Sequence, residues 1–310
     1  MLAGESQHAP LISARFSAII SFSQRWSSVI NNFRNKTVFI TGAAAGIGFG
    51  MAQAFAERGA HIVLVDIDAA KLKEAERQLA ATGVQVMTFA LDVTDGKQLK
   101  DAALQASQRF GGINVLCANA GVTGYLGPLQ NASDADWEWI IDVNLKGSVN
   151  TVQAVLPYLL KNTNDGHIVL TSSISGLRVH NPSRGQGMYN TTKFAMVGLG
   201  EALSLDLAPH GIGVSILCPG VVNTDISNAG RNRQDKYGGA YASASEDFVL
   251  AKAAKNGTDP LVFGRWVVKA VERNQLIVIT HPQDRDQIEA RHARILQAFD
   301  DSAALTSGQP

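Results

Sequence analysis

The segment Thr37–Gly48 reads TVFITGAAAGIG, a short β-branched run followed directly by a glycine-rich turn. A strand that ends in such a turn and opens into a helix predicts an anion site, because free N–H groups at the helix N-terminus face the turn. Gly42 allows the tight turn, and Gly46 and Gly48 let the backbone approach a pyrophosphate closely. The next β-branched run ends in Asp66, 18 residues after Gly48. That spacing is typical of a carboxylate that binds an adenosine ribose, so the segment predicts a dinucleotide site.

Asp66 also bears on the type of dinucleotide. A carboxylate accepts hydrogen bonds from a ribose 2′-OH but repels a 2′-phosphate. No Arg or Lys lies within the glycine turn or immediately after Asp66 to offset that repulsion. The sequence therefore favours NAD over NADP. As an alternative, Asp66 caps the following helix, and Asp68 competes with it for either role.

Beyond the first strand, β-branched runs alternate with helical patterns, which predicts βαβ units and a parallel sheet buried on both faces. We predict a doubly wound α/β Rossmann fold, with a seven-stranded parallel sheet flanked by helices on both faces. The predicted strands cover residues 37–41, 61–66, 85–90, 114–118, 167–172, 213–218 and 276–280. The predicted helices cover residues 47–58, 69–80, 96–110, 133–160, 189–208, 260–272 and 282–299.

One domain accounts for all of these elements. We assign residues 37–299 to a single catalytic domain, which includes a substrate lid at 221–258, and we expect a flexible polar tail at 300–310. Residues 1–36 are an N-terminal extension, rich in serine and with apolar residues near helical spacing. We expect it to be helical or disordered; an arm that packs on the protein, an interfacial helix and organelle targeting by residues 1–34 all fit its composition.

Composition argues against several classes of function. Lys plus Arg and Asp plus Glu both total 27, so the chain lacks the basic excess of a nucleic-acid binder. No run approaches the roughly 18 apolar residues of a membrane span. Cys117 and Cys218 lie in apolar runs, which favours buried thiols and a cytoplasmic protein. His180 and His281 have no partner at metal-ligand spacing, so we predict no metal.

A second group of residues points to chemistry. Tyr189 and Lys193 are four apart and share one face of a predicted helix. Ser173 follows the fifth predicted strand, and a turn that starts at Pro219 follows the sixth. The carboxyl ends of parallel strands meet at one edge of a sheet, where doubly wound folds bind ligands. We expect these residues to form one site there.

Taken in order, these motifs resemble the short-chain dehydrogenase/reductase family over about residues 37–280. The matching elements are Thr41-Gly-x-x-x-Gly-Ile-Gly48, Asp92-Val93, Asn119-Ala120-Gly121, Asn144, Ser173 with Gly176, Tyr189-Asn-Thr-Thr-Lys193 and Pro219-Gly220-x-x-x-Thr224. The resemblance implies interconversion of a secondary alcohol and a ketone by hydride transfer, with Asn144, Ser173, Tyr189 and Lys193 as catalytic residues. The cofactor-binding residues are then Gly42, Gly46, Ile47, Gly48, Asp66, Asp92, Val93, Asn119, Tyr189, Lys193, Val222 and Thr224.

Each catalytic residue has a physical role. A free tyrosine has a pKa of about 10, so Tyr189 needs positive charge nearby to act as a base at neutral pH. Tyr189 then takes the proton of the alcohol as hydride leaves for NAD, and Ser173 hydrogen-bonds the substrate oxygen. By the resemblance, Lys193 lowers the pKa of Tyr189 and binds the ribose hydroxyls, and Asn144 holds a water that passes the proton to solvent.

The resemblance also implies roles for five cofactor residues and an assembly. Asp92 and Val93 contact the adenine, and Asn119 braces the fourth strand beside the cofactor. Val222 and Thr224 bind the cofactor at the amide of the nicotinamide and on its phosphate side. A homodimer or homotetramer forms by pairing two long helices across subunits, those of residues 133–160 and 189–208.

One spacing departs from the family pattern. Ser173 and Tyr189 are 16 apart, which is longer than the family leads us to expect. Ser172 competes for the role of catalytic serine, but Gly176, three residues after Ser173, fits the family turn and favours Ser173.

Substrate specificity is expected from loops at 122–128, 177–188 and 221–258. Their apolar and aromatic residues favour an apolar or aromatic alcohol; these are Tyr125, Leu126, Leu177, Met188, Tyr237, Tyr241 and Phe248. The stretches 136–144 and 280–283 also resemble bacterial members that act on aromatic alcohols. Arginines in the same loops could instead bind a substrate carboxylate; these are Arg178, Arg184, Arg231 and Arg233. An NADPH-dependent ketone reductase and a non-catalytic dinucleotide-binding regulatory protein remain the alternative functions.

Overall fold

The computed structural model describes residues 30–162, 165–179, 185–241 and 255–306. Seven parallel strands form one sheet in the order β3-β2-β1-β4-β5-β6-β7, which confirms the predicted fold. The strands are β1 Thr37–Thr41, β2 His61–Asp66, β3 Val86–Ala90, β4 Val115–Ala118, β5 Gly166–Thr171, β6 Ile212–Cys218 and β7 Ile277–Ile279. The α-helices of the described residues are α1 Gly46–Ala56, α2 Ala69–Ala80, α3 Gly96–Phe110, α4 Asp134–Ile141, α5 Gly147–Leu159, α6 Gly187–Leu207, α7 Pro260–Glu272 and α8 Arg285–Thr306.

The sheet is buried on both faces because its strands carry apolar residues at successive positions. Within β1, Val38 and Ile40 belong to the apolar cluster that contains α1, α2 and α7. Phe39, between them, belongs to the cluster on the opposite face with α3, α4, α5 and α6. Successive side chains of a strand point to opposite faces, so one continuous apolar run serves both layers.

Close packing between α1 and α7 fixes the position of the helix that opens the glycine turn. A Cβ atom on Gly50 would lie 2.0 Å from the Pro260 carbonyl oxygen, and one on Gly264 would lie 2.2 Å from the Gly50 carbonyl oxygen. The two helix backbones therefore touch where both lack side chains. The Asp259 carboxylate caps α7 by accepting the N–H groups of the residues at 261 and 262.

After β3 the chain crosses back over the sheet, and β4 pairs with β1. These two strands are therefore neighbours in the sheet although β2 and β3 lie between them in sequence. The connections after these two strands leave on opposite faces of the sheet, so their carboxyl ends part and open a cleft. This topological switch point is where the glycine turn, the end of β4 and the residues that follow β5 meet.

The two ends of the chain differ from the predicted boundaries. Ile30 and Phe33 are buried in the core, and the Phe33 ring packs edge-on against Phe55 at 5.2 Å, so the end of the predicted extension is part of the domain. Residues 1–29 lie outside the described residues. Helix α8 runs to Thr306, into the segment where we predicted a tail, because residues 300–306 lack Gly and Pro and three of them, Ala303, Ala304 and Leu305, are strong helix formers. No helix of the described residues is both long and apolar enough to span a membrane.

Candidate active site

The glycine turn and the start of α1 leave an uncompensated positive helix end at the cleft. Gly42 and Gly46 have φ angles of +64° and +56°, the left-handed region that favours glycine. A Cβ on Gly48 would lie 2.1 Å from the Gly42 carbonyl oxygen, so α1 packs directly onto the turn. Helix α1 has no side-chain N-cap and no acidic residue in its first turn, whereas Asp95 caps α3. Its free N–H groups therefore suit an anionic group such as a pyrophosphate.

The carboxylate of Asp66 lies at the end of β2, beside this turn. One oxygen accepts the Ala44 N–H at 2.9 Å, and the other accepts the Asp68 N–H at 3.0 Å. Asp68, not Asp66, caps α2, because its side chain accepts the Lys71 N–H at 3.1 Å. The helix-capping role that we considered for Asp66 therefore belongs to Asp68. Each Asp66 oxygen has a further lone pair for a ribose hydroxyl.

Ten of the predicted cofactor residues line one cleft at this edge of the sheet. They are Gly42, Gly46, Ile47, Asp66, Asp92, Val93, Asn119, Tyr189, Lys193 and Thr224. The other two lie behind the cleft wall. Gly48 packs α1 against the turn, and Val222 is buried in a bridge with Thr258.

Asn119 joins three strand ends at the wall of the cleft. Its side-chain amide donates to the Thr41 and Gly42 carbonyl oxygens at 3.0 and 3.2 Å. Its amide oxygen accepts the Thr171 hydroxyl at 3.1 Å, and its backbone N–H donates to the Thr41 hydroxyl at 3.0 Å. A single side chain thus ties the ends of β1, β4 and β5, which supports the bracing role that the resemblance implies.

Ser173, Tyr189 and Lys193 come together where the cleft meets the end of β5. The Ser173 hydroxyl accepts the Ser175 N–H at 3.1 Å, donates to the Pro219 carbonyl oxygen at 3.4 Å, and lies close enough to the Tyr189 phenol to lower its pKa. Lys193 is buried, and its Nζ donates to the Thr171 carbonyl oxygen at 2.8 Å. The same Nζ lies 5.4 Å from the centroid of the Tyr189 ring. A hydroxyl, a phenol and an ammonium thus lie within one small volume.

The competing serine has a structural task. Ser172 is buried, and its hydroxyl donates to the Lys193 carbonyl oxygen at 2.7 Å. A Cβ on Gly176 would lie 2.4 Å from the Ser172 Oγ, so this glycine is needed for the contact. Ser172 therefore fixes α6 against β5, whereas Ser173 contacts Tyr189. The geometry supports the choice of Ser173.

Asn144 lies in a π-helical segment, Asp142–Lys146, that joins α4 to α5. Its amide donates to the Val122 carbonyl oxygen at 2.9 Å and to the Thr192 hydroxyl at 3.1 Å, and its amide oxygen accepts the Val122 N–H at 2.8 Å. The side chain therefore positions the residue next to Lys193 and the loop after β4. The water that we predicted at Asn144 stays a prediction. Such π segments are frequent at functional sites.

Burial moves the pKa values of the pair in opposite directions. Loss of solvent raises the pKa of Tyr189 to about 12, against a smaller lowering from the Ser173 hydrogen bond. Loss of solvent lowers the pKa of Lys193 to about 8. In the protein without cofactor, Tyr189 is therefore a neutral phenol and Lys193 is a positively charged ammonium at neutral pH. Further positive charge, as from a nicotinamide ring, is required before Tyr189 is a base.

The lid reaches the cleft, as we expected, but through a contact of Gln234 that the sequence did not predict. The Gln234 amide donates to the Asp92 carboxylate at 2.9 Å, across 142 residues of sequence. Lid residues on the cleft wall are Asp225, Ile226, Ala229, Arg231, Asn232 and Gln234. Hydrogen bonds from the Asn223 N–H to the Thr258 carbonyl oxygen, at 3.0 Å, and from the Thr258 N–H to the Val221 carbonyl oxygen, at 3.2 Å, tie the two ends of the lid. Residues 242–254, which include Phe248, lie outside the described residues.

The loop arginines that the structure describes pair with carboxylates of the protein. Arg178 pairs with Asp284 at 2.5 Å, and Arg233 pairs with Asp136 at 2.6 Å, both with side chains at most 15% exposed. Arg231 lies 3.1 Å from an oxygen of Asp225. Arg184 lies outside the described residues. These pairs weaken the alternative that the loops bind a substrate carboxylate.

Two aromatic lid residues attach the lid to the rest of the domain. The Tyr237 hydroxyl donates to Asp142 at 2.7 Å, and the Tyr241 hydroxyl donates to the Gly124 carbonyl oxygen at 3.2 Å. The Tyr241 ring packs edge-on against Trp139, 6.0 Å between centroids. Part of the aromatic surface that we expected to meet the substrate thus fastens the lid to the domain.

His281, whose structural role the sequence did not indicate, contacts the turn after β6. The Gly220 N–H donates to its Nδ1 at 3.0 Å, and its Nε2 lies 3.2 Å from the Val221 carbonyl oxygen. Because Nδ1 accepts, Nε2 carries the proton of the neutral ring. A Cβ on Gly220 would lie 2.4 Å from the imidazole Cγ. The histidine therefore fixes the backbone of this turn.

A parallel sheet with an open helix N-terminus at its switch point, and a Ser-Tyr-Lys cluster at the same edge, define an oxidoreductase that uses a nicotinamide dinucleotide. The sequence model of the short chain dehydrogenase family matches residues 36–235. The chain belongs to this family, whose fold binds NAD(P), and the protein is an oxidoreductase of the alcohol-dehydrogenase type.

Relatives cover nearly the whole chain. C alpha-dehydrogenase of Sphingobium sp. (strain NBRC 103272 / SYK-6) is 32% identical over 283 residues, which are 91% of this chain and 90% of the relative. A short chain dehydrogenase/reductase from Burkholderia phymatum, solved in complex with NAD, has a TM-score of 0.80 and 31% identity over 87% of this chain and 97% of its own. A Burkholderia cenocepacia short chain dehydrogenase in complex with NADP, 24% identical with a TM-score of 0.68 over 80% of this chain and 97% of its own, shares the fold alone. The fold therefore leaves the choice of dinucleotide to the residues of the cleft.

Proposed function

We propose that the protein is an NAD-dependent dehydrogenase that oxidises a secondary alcohol carrying an apolar or aromatic group to the ketone. The observation that carries this proposal is the cluster of Ser173, Tyr189 and Lys193 at the edge of the cleft that contains Asp66. A non-catalytic dinucleotide sensor has no use for such a cluster.

The described residues support a direct course for the reaction. Bound NAD supplies the hydride acceptor and a positive ring. Ser173 hydrogen-bonds the alcohol oxygen and holds it beside Tyr189. Tyr189, as the phenolate, takes the hydroxyl proton, and the positive charge of Lys193, whose Nζ lies 5.4 Å from the centroid of the Tyr189 ring, stabilises this phenolate. In the reverse direction Tyr189 returns the same proton to the ketone oxygen.

Three observations support the choice of NAD and of an apolar substrate. The Asp66 carboxylate faces the cleft and keeps lone pairs for ribose hydroxyls. The loop arginines that the structure describes are engaged with carboxylates, and the relative named C alpha-dehydrogenase covers nearly the whole chain. We infer that an uncharged carbinol substrate suits the site best.

A specific observation favours an NADPH-dependent ketone reductase as second candidate. Lys71 and Arg231 both lie near the cleft and could attract a 2′-phosphate, although each pairs with Asp225. The reductase would show faster turnover with NADPH than with NADH.

Absorbance of NADH tests the proposal with a panel of aryl secondary alcohols, hydroxysteroids and polyols. We expect turnover with NAD on aryl or other apolar alcohols, and a loss of at least about a hundredfold in Tyr189→Phe. Tyr158→Phe, at a tyrosine outside the cluster, is the matched control and retains activity. Turnover that persists in Tyr189→Phe would contradict the mechanism, and faster turnover with NADP would contradict the choice of cofactor.

A further inference from the structure

The lid contributes a carboxylate to the cleft in which Asp66 lies. Asp225 lines the same cleft as Asp66. One oxygen of Asp225 lies 3.2 Å from the Lys71 Nζ and 3.1 Å from an Arg231 guanidinium nitrogen. A single lid carboxylate therefore engages two cations, one from α2 and one from the lid itself.

Short contacts relate Lys71 and Asp225 to Asp66, the residue that we propose binds the adenosine ribose. Lys71 belongs to the first turn of α2, whose N-cap is Asp68. The backbone N–H of Asp68 donates to Asp66, and the backbone N–H of Lys71 donates to Asp68. Residue 224, which precedes Asp225, lies against the glycine turn, where its Cγ2 would be 3.0 Å from a Cβ on Gly46. Asp225 of the cleft wall thus pairs with a lysine of the helix whose N-cap lies two residues after Asp66.

We propose that Asp225 is a specificity-determining residue that excludes NADP. It neutralises Lys71 and Arg231, the two cations that would otherwise attract a 2′-phosphate, and adds a second negative charge near Asp66. The inference rests on the proposed function, because it takes the adenosine ribose to lie at Asp66. It extends the determinant of cofactor choice from the end of β2 to the substrate lid.

The exposure of these side chains makes the effect measurable without damage to the fold. Lys71, Asp225 and Arg231 side chains are 41%, 47% and 32% exposed, and ion pairs at such positions add little to stability. A phosphate carries nearly two negative charges, whereas a ribose hydroxyl carries none. Removing the charge of Asp225 therefore favours NADP far more than NAD.

The test compares the dissociation constants of NAD and NADP in the full-length protein and in Asp225→Asn, measured by isothermal titration calorimetry. We expect Asp225→Asn to bind NADP about tenfold more tightly and to bind NAD within about twofold of the wild type. Adding Lys71→Gln and Arg231→Gln to this variant removes the gain, as does high salt. The matched control is Asp235→Asn, which removes the same charge from an exposed lid residue that does not line the cleft.

Two results would overturn this inference and leave the proposed function intact. In one, the wild type binds NAD but Asp225→Asn gains nothing toward NADP, or gains equally toward both dinucleotides. In the other, Asp235→Asn gives the same gain, which would make the effect one of net charge. A wild type that binds neither dinucleotide would overturn the proposed function and this inference with it.

Discussion

Replacement of Lys193 by methionine tests how Tyr189 becomes a base. The Lys193 Nζ lies 5.4 Å from the centre of the Tyr189 ring, and the side chain is buried. If the phenolate charge is placed at the centre of the ring, Coulomb's law at an effective dielectric constant of about 20 gives an interaction of about 3 kcal/mol. At a fixed pH below the pKa of the phenol, loss of the ammonium lowers the phenolate fraction by roughly a hundredfold.

The assay is the pH dependence of kcat/KM for the alcohol at saturating NAD, from about pH 6 to about pH 10. We expect Lys193→Met to lose roughly a hundredfold at low pH and to recover part of the deficit as the pH rises, because added base ionises Tyr189 without the lysine. Lys193→Arg keeps the charge and serves as the control for altered packing. Burial lowers the pKa of Lys193 to about 8, so the comparison is sharpest below that pH.

A purely structural lysine predicts another result. If the Lys193→Met profile runs parallel to that of the wild type and levels off at the same pH, the ammonium has no effect on the ionisation of Tyr189, and the electrostatic reasoning is wrong. The dissociation constant of NAD, measured separately, reports any loss of ribose binding.

Three further perturbations follow from the described contacts. Burial lowers the pKa of His167 to about 3, so stability is lost as the pH falls below about 6.5, and urea unfolding at pH 5 and pH 7 should show about 2 kcal/mol more loss in the wild type than in His167→Gln. Gly220→Ala places a methyl group 2.4 Å from the His281 ring and should weaken NAD binding in calorimetry, with recovery in the double variant that also carries His281→Ala. Arg233→Met removes the cation from Asp136, which keeps its two hydrogen bonds from Ser133, and should cost about 2 kcal/mol in urea unfolding, whereas an equal cost in the double variant with Asp136→Asn would contradict this explanation.

The strands and the glycine turn could be predicted because their signals are local. A buried parallel strand such as Thr37–Thr41 is a continuous β-branched run, and a turn that needs positive φ at residues 42 and 46 requires glycine there. The predicted strand bounds differ from the observed ones by at most one residue at either end. The choice between Asp66 and Asp68 as the helix cap needed coordinates, because both lie near the start of α2.

The position of the lid could be predicted, but its individual contacts could not, because they are tertiary. Residues 221–241 show no helical or strand periodicity, and their short 3₁₀ turns are fixed by pairs such as Gln234 with Asp92 and Arg233 with Asp136. The arginines of the loops could be recognised as charged, but not as paired. The role of His281 could not be predicted either, since the stretch 280–283 does not reveal that its histidine accepts a hydrogen bond from the turn after β6.

The bridge between Val222 and Thr258 makes the lid an inserted module with both ends at one point of the scaffold. Such a loop can vary in length and composition at small entropic cost, because its ends are already closed. In this protein, however, the same module supplies Asp225 and Gln234 to the wall of the dinucleotide cleft. An exchange of residues 222–258 with a relative should therefore change cofactor preference together with substrate range, because one segment contributes to both.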